Sequence, residues 1–115
     1  MTPIYFQLEE RQDGSRIKFI ETSTSTAVVN RPIAEIDFDH EDYFVIESLI
    51  DTNGNTIFIA YGFDWKGTWA SGITLKLIYP DIATYTNAYY IFHWVDEDSD
   101  GIPDAPELYQ VFTGN

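Results

Sequence analysis

The chain has 115 residues, with 19 acids against 6 bases and a formal net charge of -13. That charge argues against nucleic acid as a partner, because phosphate backbones are bound by clustered Lys and Arg, and against docking on an anionic membrane surface. At 44% hydrophobic and 17% aromatic the chain can bury a core, so its acidity is not a mark of disorder, and no apolar run approaches the roughly 20 residues that span a bilayer.

The opening segment, Met1-Thr2-Pro3-Ile4-Tyr5-Phe6, lacks the basic n-region and long apolar h-region of a signal peptide. Two settings stay open: an intracellular protein, or a mature piece of a longer secreted chain. There is no cysteine, which excludes disulfides, thiolate chemistry and Cys-ligated metal centres. A small extracellular domain without disulfides needs another staple, and bound metal is the usual substitute.

Strand signals come first along the chain. Ile4, Phe6 and Leu8 alternate with polar or outward residues, as do Ile17 and Phe19, and the β-branched run Thr22 to Thr26 reads as further strand. Asp37-Phe38-Asp39-His40-Glu41-Asp42 follows, an acidic cluster that reads as a solvated bend, with a cation site as the alternative. Tyr43 to Ile50 and Thr56 to Tyr61 are apolar runs flanking Asn53-Gly54, the strongest short-range hairpin signal.

Gly62 to Gly72 reads as a loop carrying Trp65 and Trp69. Together with Tyr61 these aromatics are candidates for a polysaccharide platform; the alternatives are a lid folded over the sandwich or a protein contact. Gly72 to Tyr79, with Ile73, Leu75 and Leu77 alternating, reads as a strand, and so does Ala88 to Val95. His93 lies on the second of these, where a satisfied histidine is the expected role. No stretch before Asp104 shows sustained helical periodicity. The pattern predicts an all-β protein: a single antiparallel β-sandwich domain over 1–115 of about seven or eight strands, with a C-terminal calcium loop and room for one short helix.

Chemistry concentrates in Asp96-Glu97-Asp98-Ser99-Asp100-Gly101-Ile102-Pro103-Asp104-Ala105-Pro106-Glu107. Residues 96–107 fit the calcium-loop pattern D-x-[DN]-x-[DN]-G-x5-E at every specified position. Ca²⁺ takes six to eight oxygens at about 2.3–2.6 Å, so carboxylates must converge on it from several directions. Asp96, Asp98 and Asp100 supply three, and Gly101 permits the sharp turn. Ile102 offers its backbone carbonyl, Asp104 a direct or water-mediated oxygen, and Glu107 a bidentate carboxylate. The competing reading is a solvated acidic loop in which Asp104 and Glu107 form a capping box. The two are compatible.

The segment resembles the calcium loops of EF-hand, dockerin and thrombospondin type-3 modules. It departs from the paired helix–loop–helix form, because Tyr89-Tyr90-Ile91-Phe92-His93-Trp94-Val95 enters as a strand and Pro103 sits where paired EF-hands exchange backbone bonds. Over Tyr89 to Gly114 the arrangement is also similar to C-terminal accessory modules of large secreted prokaryotic proteins, such as subtilisin-like proteases and surface-layer-associated chains. That resemblance implies an extracellular or cell-surface role in anchoring or assembly, with other domains or subunits as partners.

Enzyme readings find little support. Gly-x-Ser-x-Gly, His-Glu-x-x-His and phosphate-cradling glycine loops are all missing, and a hydrolase centred on Asp37, Asp39 and His40 is the remaining rival. The expectation is a non-catalytic module holding one structural Ca²⁺, with a carbohydrate-binding module as the alternative.

Overall fold

The computed structural model describes residues 2–114. Strands β1 (Ile4–Glu9), β2 (Arg16–Glu21) and β3 (Thr26–Pro32) form one antiparallel sheet in that spatial order. Across β1 and β2 the apolar residues meet in register, Phe6 with Phe19 and Leu8 with Ile17. Strands β4 (Glu41–Ile50), β5 (Thr56–Gly62), β6 (Tyr89–Val95) and β7 (Leu108–Gly114) form a second antiparallel sheet in the order β5-β4-β6-β7. The two antiparallel sheets expected from the alternation are therefore observed, in a fold that is mostly but not wholly β. The Asn53-Gly54 turn closes β4 onto β5, with Gly54 at a φ of +82° and Asp51 Oδ1 accepting from the Asn53 and Asn55 amides at 2.9 Å each.

Two expectations are corrected. Of the Thr22–Thr26 run only Thr26 is strand, as the first residue of β3. Residues 22–25 form the turn between β2 and β3, with Ser25 in the left-handed region, and local Ser/Thr hydroxyl bonds such as Thr24 to Glu21 compete there with the sheet ladder. The second correction is larger. Residues 72–79 are not a strand and 62–72 is not wholly loop: α1 (Trp65–Ile78) runs through both and continues as a 3₁₀ segment, Tyr79–Thr84.

The four-stranded sheet is the middle layer, because alternation along its strands feeds two cores. On one face Val45, Tyr89 and Ile91 pack against Ile4, Phe19 and Val29 of the first sheet. On the other, Phe44, Ile46, Tyr90, Phe92 and Trp94 pack against Ala70 and Ile78 of α1. As expected of a strand apolar on both faces, β6 lies inside its sheet, between β4 and β7.

The start of α1 is fixed by a buried carboxyl group, which burial pushes up to about 7. Asp42 on β4 is fully buried, and its Oδ2 accepts from the backbone amides of Asp64 (2.8 Å) and Gly67 (3.0 Å). A carboxylate at a helix N-terminus satisfies amides that have no partner within the helix. Close approach requires glycine here: a Cβ on Gly67 would lie 2.2 Å from Asp42 Oδ2, and one on Gly62 would lie 2.4 Å from the Gly67 carbonyl carbon.

Candidate metal centre

The acidic loop leaves β6 at Asp96 and returns to β7 through a single 3₁₀ turn, Ala105–Glu107. Its aspartates wrap the chain by accepting from amides two residues on, Asp98 Oδ1 from Asp100 (3.3 Å) and Asp100 Oδ1 from Ile102 (2.9 Å). Ser99 and Gly101 take left-handed conformations, at φ of 61° and 70°. The Gly101 amide donates back to Asp96 Oδ2 at 2.8 Å and closes the turn.

Glu107 seals the loop from below and is almost completely buried. Its Oε2 accepts from the amides of Glu97 (2.7 Å) and Asp98 (3.3 Å), and its Oε1 from the Asp104 amide (3.1 Å) and the Trp94 indole N–H (3.3 Å). The Asp104–Glu107 contact is one half of the capping box that the spacing suggests.

Carboxylate oxygens of Asp96, Asp98, Asp100 and Glu107 all lie within 4.8 Å of one another, a group that could hold a metal ion. Asp104 stands outside that set of four. Ile102 is an exposed residue of the turn.

The electrostatics record this crowding. The side chain of Asp100, together with lost solvation and the nearby carboxyls of Asp96 and Asp104, pushes Asp98 up to about 7. Burial also works against the charge on Asp96, but the His40 imidazole and the Gly101 amide outweigh it and hold Asp96 at about 2. The Asp96 side chain has no exposed surface, and its Oδ1 has no hydrogen-bond partner. A buried carboxylate oxygen left unpaired is costly, and a cation is one group that would satisfy it.

Non-local residues buttress the loop. His40 Nδ1 lies 2.6 Å from Asp96 Oδ2, which raises the imidazole pKa above its ordinary value. The Lys66 ammonium, from the first turn of α1, donates to the Asp39 carbonyl at 2.8 Å. It would meet a Cβ on Gly101 at 3.1 Å. Of the acidic segment 37–42, residues 38–40 form a turn docked beside the loop, whereas Glu41 and Asp42 already belong to β4 and Asp42 is fully buried, so the expected solvated bend is corrected there. Spacing carries no signal for His40 or Lys66, because both reach the loop across the fold.

The other singled-out residues fall elsewhere. Trp65 and Trp69 are exposed on α1 with nearly parallel rings, 6.1 Å apart. Tyr61 alternates onto the opposite face of its sheet, where its ring meets Phe19 edge-on at 5.9 Å. The structure does not bring Tyr61 to the tryptophan pair. His93 is satisfied, as expected, by Glu41 Oε1 at 2.8 Å and by stacking on Tyr43 at 4.1 Å. The Asp39 carboxylate is 81% exposed, and His40 is engaged with Asp96.

Among the described residues no helix is long and apolar enough to cross a membrane. No protein-family model, curated protein or solved structure matches the chain.

Proposed function

We propose that the loop 96–107 binds one Ca²⁺ as a structural staple, in a non-catalytic β-sandwich module of an extracellular or cell-surface protein. The module would serve anchoring, assembly or accessory roles there. The observation that carries the reading is the buried, unpartnered Asp96 Oδ1 set among three further convergent carboxylates. Hard carboxylate oxygens with no nitrogen or sulfur donor suit calcium better than a transition metal. Asp96, Asp98, Asp100 and Glu107 would supply the charge, with Ile102 and Asp104 as the further ligands that the pattern assigns.

A sensor opens a pair of helices when the ion arrives. Here the loop is entered from β6 and left through one 3₁₀ turn into β7, so the geometry favours a staple. At a calcium concentration of 100 times Kd the gain is about 2.7 kcal/mol, a large share of the roughly 5–15 kcal/mol that holds a domain folded. In a chain without cysteine such a staple takes the place of a disulfide.

Thermal melts with calcium and with chelator, alongside calorimetric titration, test this reading. The expected result is one site per chain and a midpoint that rises with calcium. An unchanged midpoint with no heat of binding would overturn it.

A further inference from the structure

The acidic loop faces a positive charge that it does not itself supply. Lys66, in the first turn of α1, is only 9% exposed. Its ammonium lies against two indoles, 5.4 Å from the Trp65 ring centroid and 5.9 Å from that of Trp94, and it donates to the Asp39 carbonyl at 2.8 Å. Such contacts hold an ammonium in place without neutralising it. Burying a charge is costly unless opposite charge compensates it.

That compensation lies in the loop. Gly101 is the point of contact, where a Cβ would stand 3.1 Å from Lys66 Nζ. The Gly101 amide also donates to Asp96 Oδ2, so the residue packed against the ammonium holds one of the converging carboxylates. Among the described residues the carboxylate that comes within 4.0 Å of the ammonium is that of Asp39, which is 81% exposed and outside the group of four. Lys66 thus faces the loop without occupying its ligand oxygens. Asp96 Oδ1, buried and unpaired, stays open to an ion.

On the calcium reading of the loop, on which this rests, we infer that Lys66 is the internal counter-ion of the empty site and sets how weakly the site holds calcium. Its charge acts in opposite directions in the two states. With no ion bound, one buried positive charge offsets part of the repulsion among Asp96, Asp98, Asp100 and Glu107 and keeps the loop folded. With a divalent ion bound, the same charge repels the ion, and salt screens a buried charge less than an exposed one. The site is set toward high free calcium, the regime of extracellular modules, and the loop is preformed rather than folded by the ion.

Calorimetric titration with calcium and thermal melts in chelator, on the full parent chain, Lys66→Met and Lys66→Gln, test the inference. Methionine keeps an apolar stem against the indoles, and glutamine keeps an N–H donor for the Asp39 carbonyl; both remove the charge. Each variant should bind calcium about three- to tenfold more tightly than the parent at low salt. The gap should narrow as salt rises, and each variant should melt lower in chelator. Glutamine decides the matter, because it loses the charge and keeps the donor. Equal or weaker calcium binding by Lys66→Gln would overturn the inference alone and make Lys66 a positional prop. A parent chain that shows no heat of calcium binding would overturn the reading of the loop, and this inference with it.

Discussion

His40 and Asp96 are joined twice. The Asp96 amide donates to the His40 carbonyl at 2.8 Å, and His40 Nδ1 lies 2.6 Å from Asp96 Oδ2. The two acidic segments of the chain, 37–42 and 96–107, are therefore clasped at the carboxylate whose other oxygen is unpaired. Groups that orient a metal ligand in this way typically matter by about 10–100-fold in affinity. His40→Ala should weaken calcium binding about tenfold while leaving one site per chain, as read by calorimetry. An unchanged affinity would make the clasp a matter of folding alone.

Asp98 separates binding from stability. It is exposed, and crowding by Asp100 and its neighbours disfavours its charge. Asp98→Asn should abolish the calcium-dependent rise in midpoint. In chelator it should melt higher than the parent chain, because the repulsion among the crowded carboxyls is relieved. Glu107 is a poorer test, because losing it also strands three backbone amides and the Trp94 indole.

The glycines of α1 make opposite predictions. Gly67→Ala forces a Cβ to 2.2 Å from Asp42 Oδ2 and should cost about 1–3 kcal/mol through displaced packing and broken amide bonds. Gly72→Ala meets no neighbour and should gain up to about 1 kcal/mol from helix propensity. Denaturant unfolding of both variants gives the two signs directly.

Glu47 supplies a pH dependence. It is 2% exposed between the two sheets, where burial raises its carboxyl from an ordinary 4.5 to about 7 against a single backbone donor, the Ile4 amide at 3.2 Å. Between those pH values the folded chain holds a proton that the unfolded chain has lost, so this group makes stability fall as pH rises. Glu47→Gln should remove that slope and add up to about 3 kcal/mol above pH 7. Urea melts at about pH 5 and about pH 8 measure the difference.

Much of this architecture is legible along the chain. The strand at Ile4 to Glu9, the hairpin at Asn53-Gly54 and the two-faced strand at Tyr89 to Val95 follow from alternation and turn chemistry, although Phe6 and Leu8 are exposed and only Ile4 of that face is buried. The acid loop is legible because its carboxylates are close in sequence. Helix α1 is not, for a physical reason: it turns Lys66, Ser71 and Thr74 toward the protein and Trp65, Trp69 and Leu77 toward solvent. That inversion scrambles the helical period, while Ile73-Thr74-Leu75-Lys76-Leu77 mimics a strand. The local signals that do mark it are Asp64 at the N-cap, Lys76 in the last turn and Pro80 beyond. Asp42 and Lys66, which fix its start and tie it to the loop, act across the fold and leave no local pattern.

The contact between Glu107 and Trp94 has an optical consequence. Of the three tryptophans only Trp94 is buried, and its indole N–H rests on Glu107, one of the carboxylates proposed to hold the ion. The other two emit from a wet surface, so a shift at the blue edge of the emission spectrum belongs to Trp94. A cation held as proposed would draw charge from Glu107 and alter that indole's surroundings without an added dye, so the blue edge of the emission would gauge ion occupancy.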